Sequence, residues 1–255
     1  MSSQSPRVSL FRSIRRKFAR SLEIRGLWGS IGLAVKQPYL WFRFHKTEDR
    51  RNETQQEFDR KFGVDTSGIV YLSDLDIASP NFVHGTRYGP TLKKTFDEVV
   101  GQVPIAHSDF VFIDVGSGKG AVLLYASEYP FQRVVGVEFS RELHEIAQKN
   151  IARYQNPARR CFLVESICSD IVEYRFPKQP LFLFLNTPFG APICDGMARN
   201  LAKSLEEAPR DVYLVYLNYD YDQPAVAVFS STSFLTEIVT KPGYKIFRSG
   251  VNRAS

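Results

Sequence analysis

Three glycines, Gly116, Gly118 and Gly120, alternate with Ser117 and Lys119 directly after the apolar run "FVFIDV", and a carboxylate stands on either side of them, Asp114 and Glu138. Glycines this dense let a chain turn sharply and bring main-chain N–H groups close to a ligand that side chains would obstruct. A phosphate loop needs GxxxxGK followed by Ser or Thr, but Lys119 is followed by Gly120 and has no glycine at the required distance upstream. A dinucleotide turn needs GxGxxG, whereas this turn reads GxGxG and leaves less room for a pyrophosphate.

The two acids narrow the ligand further. Asp114, two residues before the first glycine, repels a phosphate and favours a cation. Glu138 closes the next apolar run, 20 residues after Gly118, where a carboxylate can accept both hydroxyl hydrogens of a ribose. A ligand with a ribose, an adenine, a positive centre and no phosphate satisfies this set, and S-adenosylmethionine is such a ligand.

The elements that must position these residues follow from pattern. "FVFIDVG", "RVVGVEFS", "CFLVESI", "LFLFLN" and "DVYLVYLN" are apolar throughout and read as strands. Between them lie helical stretches: "GAVLLYASEYP", ending at Pro130; "RELHEIAQKNIARYQ", with Leu143, Ile146, Ala147 and Ile151 on one face; and residues 193–208. Ser140 is placed to cap the second of these, with Glu142 in its first turn. Strands apolar on both faces, alternating with helices, predict a doubly wound, mostly parallel α/β sheet. "SFLTEIVTKPGYKIFRS" reads instead as a terminal antiparallel hairpin turning at Pro242-Gly243.

With these motifs in this order, the chain resembles a class I S-adenosylmethionine-dependent methyltransferase over about residues 80 to 250. The resemblance implies a Rossmann-like seven-stranded sheet. It implies that Gly116, Ser117, Gly118 and Gly120 line the methionine part, with Asp114 beside them, and that Glu138, followed by Phe139, holds the ribose. It assigns the adenine amino group to Asp170, although "ESICSD" offers Glu165 and Ser166 as well.

Two stretches bear on the methyl acceptor. "HGTRYGPT", residues 84–91, is similar to the Tyr-x-Pro-Thr/Ser segment of non-SET protein lysine methyltransferases, including those that modify an ATP synthase c subunit; the likeness implies that Tyr88 and Thr91 close over the cofactor. "NTPFG", residues 186–190, resembles the Asn-Pro-Pro-Phe/Tyr signature of enzymes that methylate amino or amide nitrogen, but Thr187 replaces its first proline. An Asn side-chain oxygen can accept from an attacking N–H₂ group, and an aromatic ring can stack on a base or attract a forming ammonium. Asn186, Phe189 and Tyr88 are therefore the candidate catalytic residues, with Asn186 also reaching the cofactor, and Tyr219 joins them as a pocket wall. His45, His84, His107 and His144 are unclustered, and His84 alone stands near enough to the motif to be considered as a base. The expected activity is N-methyl transfer to a protein lysine. A nucleic-acid or small-molecule amino methyltransferase, or a non-catalytic binding protein with this fold, are the alternatives.

Composition sets the remaining bounds. A chain of 255 residues with 44% hydrophobic content can bury one large core. Residues 1–60 hold 13 Lys+Arg against 6 Asp+Glu, so the entire positive excess lies there. In that segment Phe11, Ile14, Phe18 and Leu22 recur at helical spacing among arginines, predicting a basic amphipathic helix. Docking on its own domain, contact with anionic lipid or nucleic acid, and a mitochondrial presequence are its three readings. Residues 1–60 are taken as a helical extension and 61–255 as the methyltransferase domain, with "HKTEDRRNETQQEFDRKF" as connector. Trp28, Tyr39 and Trp41 suit either a membrane interface or one end of the core. Cys161, Cys168 and Cys194 show neither CxxC spacing nor a nearby histidine pair, so no metal is expected and reduced, cytoplasmic thiols are.

Overall fold

The computed structural model describes residues 50–71, 75, 87–187, 189–218 and 223–249. The basic helix expected near the N-terminus, Trp28, Tyr39, Trp41, His45, His84, Pro188 and Tyr219 lie outside these residues. The chain divides into two compact units, Met1–Arg51 and Asn52–Ser255.

In the second unit, residues 52–62 form helix α1, and two short strands, β1 (Val70–Tyr71) and β2 (Arg87–Tyr88), pair antiparallel with Val70 opposite Tyr88. Helix α2 (Lys93–Val100) leads to β3 (Val111–Val115), then α3 (Ala121–Ala126), β4 (Arg133–Glu138), α4 (Arg141–Arg153), β5 (Val164–Cys168), β6 (Leu181–Asn186), α5 (Ala191–Glu207), β7 (Val212–Leu217), α6 (Gln223–Ser231), β8 (Thr236–Lys241) and β9 (Tyr244–Ser249). The sheet order is β5-β4-β3-β6-β7-β9-β8, with β9 antiparallel to both its neighbours and the rest parallel.

The apolar runs explain this layering. Along β3 and β6 alternate side chains face opposite layers: Ile113, Val115, Leu183 and Leu185 pack with α5 residues such as Met197 and Leu201, while Phe112, Phe182 and Phe184 join Phe96 and Phe131 in an aromatic layer. Phe112 stacks on Phe182 at 5.6 Å and meets Phe96 edge-on at 5.8 Å. Ser140 caps α4 by accepting the Leu143 N–H at 3.4 Å. On the inner face of α4, Leu143, Ala147 and Asn150 are buried; the expected members Ile146 and Ile151 are half-buried.

Two local expectations change. The apolar run from Cys161 predicts a strand, yet β5 begins at Val164, and Phe162 is 74% exposed. The charge-rich connector contributes α1 to the folded unit, where Gln55 and Asp59 are buried and hydrogen-bonded to Thr66. The terminal hairpin forms as expected, with Gly243 in its turn at φ +88°.

What positions a site is the reversal at β3. The chain leaves β3 toward β4 and β5, then returns to place β6 on the other side of β3. Crossovers on opposite sides open a crevice at the carboxyl ends of β3 and β6, which is where the glycine turn stands.

Candidate active site

Asp114 is the fourth residue of β3, and Gly116, Ser117 and Gly118 leave that strand at the crevice. Gly116, Gly118 and Gly120 have φ of +75°, +52° and +84°, a region in which other residues are strained. Their roles differ. At Gly118 a Cβ would lie 2.1 Å from Cδ2 of Tyr88, so glycine is needed for the ring to rest on the turn. At Gly120 a Cβ would lie 3.1 Å from Cβ of Ala147, so this glycine lets the turn approach α4 and does not line the cavity.

Glu138 ends β4 beside that turn and is 2% exposed. Its Oε2 accepts the Gly118 N–H at 2.8 Å and its Oε1 accepts the Ser140 N–H at 2.8 Å. The Phe139 N–H also bonds the carboxylate, which still leaves lone-pair capacity for a ribose hydroxyl. Burial pushes its pKa up to about 7, opposed by its main-chain hydrogen bonds. Asp114, 4% exposed, is pushed well above the usual carboxylate range by burial and then by the neighbouring charge of Glu138. Two buried carboxyls in one crevice, the first raised by the charge of the second, make a site that a cation relieves.

One cavity gathers Tyr88, Thr91, Asp114, Gly116, Ser117, Gly118, Glu138, Phe139, Asn186 and Phe189 around this pair. Ser117 lines the cavity, while its buried Oγ lies against Gly136 of β4, where a Cβ would stand 2.6 Å from it, and has no hydrogen-bond partner among the described residues. Two buried carboxyls beside a glycine cradle that a Cβ would fill fit S-adenosylmethionine.

Across the cavity Asn186 is hydrogen-bonded at both ends of its amide. Its Nδ2 donates to Thr91 Oγ1 at 2.9 Å, and its Oδ1 accepts from Asn218 Nδ2. Asn186 and Asn218 end or directly follow the paired strands β6 and β7, and the residues Thr187 (φ +41°) and Asn218 (φ +57°) are the described non-glycine positions with left-handed backbone. Phe189, expected to stack on a base or attract a forming ammonium, lines the cavity while only 7% exposed and packs edge-on to Phe139 at 5.8 Å.

Asp170 stands apart from the cavity. Its Oδ1 accepts the Val172 N–H at 3.1 Å and so caps the turn that follows β5. The alternatives beside it are also committed: Glu165 pairs with Arg133 at 3.3 Å, and Ser166 Oγ lies 2.8 Å from His144 Nδ1. The lining also includes Arg87 and Leu143, which sequence patterns do not single out for a site. Leu143 is legible only as a core residue of α4. Asn218 carries a signal in being polar at the end of an otherwise apolar strand, the same position that draws attention to Asn186. Among the described residues no group of His, Cys, Asp and Glu is arranged to hold a metal ion. No described helix is long and apolar enough to cross a membrane.

Residues 78–165, less than half of the chain, match the family model described as "Histone methylation protein DOT1". That span runs from before Tyr88 through the glycine turn to Glu138 and Glu165. No curated protein sequence matches the chain. Among solved structures it is similar to an RNA methyltransferase from Salinibacter ruber in complex with S-adenosyl-L-homocysteine, at 19% identity and a TM-score of 0.44, covering 65% of this chain and 95% of that one. It is similar also to a ribosomal protein L11 methylase from Lactobacillus delbrueckii subsp. bulgaricus, at 12% identity and a TM-score of 0.45, covering 64% of this chain and 80% of that one.

Proposed function

We propose that this chain, an S-adenosylmethionine-dependent methyltransferase, transfers the methyl group to the side-chain nitrogen of a protein lysine. The observation that carries the choice of acceptor is the backbone of the segment after β6. Thr187 has φ +41°, whereas proline is locked near −65°, so the Asn-Pro-Pro-Phe loop of the enzymes that methylate amino or amide nitrogen, base-modifying ones among them, cannot be threaded here with this backbone. The buried, edge-packed Phe189 supports the same reading, because stacking on a flipped base needs an open ring face. The description of the matching family model, histone methylation, points to a protein acceptor as well.

Bound at this site, the cofactor supplies a methyl group already activated by its sulfonium. The chain's own work is placement and exclusion of water. Glu138 would hold the ribose hydroxyls, the Gly116 to Gly118 turn would hold the amino acid portion, and Asp114 would complement its positive charge. Tyr88, whose hydroxyl donates to the Thr66 carbonyl, would cover the turn and keep solvent from it. Asn186, held between Thr91 and Asn218, would fix the channel wall along which the lysine enters. An amine in an enclosed pocket loses its proton more readily than in water, which prepares the nucleophile without a dedicated base.

The test is to incubate the protein with radiolabelled cofactor and cell extract, then digest with protease or with nuclease. The lysine reading expects label that protease releases as methyl-lysine. Label that resists protease and is released by nuclease contradicts it and favours a nucleic-acid amino group.

A further inference from the structure

Lys119 is a lysine in a glycine turn that no phosphate motif explains. Its ammonium is almost wholly buried, over the ring of Tyr88 at 5.9 Å from the centroid: Nζ lies 2.7 Å from Asp65 Oδ1 and donates to the Ser67 carbonyl at 2.9 Å. The main-chain carbonyl of the same residue accepts from Asn150 Nδ2 at 2.9 Å. Asn150, fully buried on α4, also exchanges two hydrogen bonds with the Asp65 backbone, receiving its N–H at Oδ1 (2.8 Å) and donating to its carbonyl (2.7 Å). One turn residue and one helix residue thus hold residues 65–67 from both sides.

The loop so held reaches back to the crevice. Asp59 accepts the Thr66 N–H at 2.9 Å and the Ser67 N–H at 2.7 Å, which fixes the direction of the Thr66 peptide. The Thr66 carbonyl accepts the Tyr88 hydroxyl, and the Val70 to Tyr88 ladder pair ties the backbone on either side. Burial, with the charges of Asp59, Asp65 and Asp114, keeps the Tyr88 phenol protonated and hence a donor. The ring of Tyr88 then rests on Gly118.

We propose that Lys119 is a positioning residue of the cofactor site: through Asp65 and Ser67 it locks the 63–68 loop, and that loop sets Tyr88 over the glycine turn. The proposal rests on the assignment of the crevice to S-adenosylmethionine and is independent of the acceptor. Two consequences follow. Affinity for the cofactor depends on an ion pair that does not touch it, and ligand binding is coupled to the order of a loop far away in sequence.

The experiment measures binding of S-adenosylhomocysteine by calorimetry to the full chain and to Lys119→Met, Lys119→Arg and Asp65→Asn, with amide hydrogen exchange followed in the presence and absence of ligand. Lys119→Met is expected to weaken binding by about tenfold or more, since a charge-assisted contact is lost from the support of Tyr88. Lys119→Arg, which can still reach both oxygens, is expected to recover most of it. In the wild type the ligand is expected to slow exchange at 63–68 together with 116–120; in Lys119→Met protection at 63–68 is expected to be lost. A wild type that fails to bind overturns the cofactor assignment itself. A wild type that binds while Lys119→Met binds equally well, or a Lys119→Arg no better than Lys119→Met, overturns only the positioning role. Should Lys119→Met not fold, Asp65→Asn decides, because the Asp65 side chain is 58% exposed and its charge can be removed at little cost to the core; unchanged affinity there overturns the proposal.

Discussion

The ring of Tyr88 lies against Gly118 so closely that a Cβ on the glycine would stand 2.1 Å from Cδ2 of the tyrosine. No side chain fits between them. Gly118→Ala must therefore displace Tyr88 and also strain a backbone at φ +52°. Calorimetry with S-adenosylhomocysteine is expected to show affinity reduced by about tenfold or more. Gly120→Ala is the contrast: its Cβ would press on Ala147 of α4, outside the cavity, so the loss is expected in thermal stability, by about 1–2 kcal/mol from backbone strain.

The buried carboxyl of Glu138 is expected to make cofactor binding depend on pH. Its pKa in the fold is about 7, above its ordinary value of 4.5, so the fold favours the neutral acid. The stability contributed by this group is present below about 4.5 and is lost as pH rises through about 7. Ribose hydroxyls prefer the ionised form, so cofactor affinity moves the other way and is expected to fall by roughly tenfold per unit below about pH 7. Titration calorimetry across this range checks it. Glu138→Gln is expected to bind weakly with a flatter profile, the residual slope belonging to Asp114.

How much of this is open to sequence follows from distance along the chain. The glycine turn, Asp114 and Glu138 belong to one strand-turn-helix-strand unit, so local spacing reveals them. Lys119 and Asp65 are 54 positions apart, Asn150 and Asp65 are 85, and nothing local in either partner points to the other. Asp170 stands apart from the cavity for the opposite reason: its surroundings use its carboxylate locally, to cap a turn. Phe162 and Leu163 look like strand residues by type, yet they precede β5 and remain exposed, because apolar character does not say where ladder pairing begins.

The backbone at Thr187 separates this site from the signature it resembles. Thr187→Pro, which would restore that signature, demands φ near −65° where the chain has +41°. We expect a loss of about 3 kcal/mol or more, seen as a lower urea midpoint. Thr187→Gly, which tolerates this backbone, is expected to stay within about 1 kcal/mol of the wild type.

The pairing of Asn218 with Asn186 predicts a kinetic rather than a binding defect. Asn218→Ala removes the donor that fixes Asn186 Oδ1 while leaving Glu138 and the glycine turn intact. Initial rates on the labelled acceptor are expected to fall by about tenfold, since misplacement of a channel wall is costly. S-adenosylhomocysteine affinity is expected to be unchanged, and stability to fall by about 1 kcal/mol from the alanine at φ +57°.

We propose that the two buried acids flanking the glycine bend together receive a cationic, phosphate-free nucleoside. The most direct measurement is a crystal structure with S-adenosylhomocysteine. The expected result places both ribose hydroxyls within about 3.2 Å of the Glu138 carboxylate, with the amino acid portion along Gly116 to Gly118. A ribose bound away from Glu138, or a pyrophosphate seated in the bend in preference to this ligand, contradicts it.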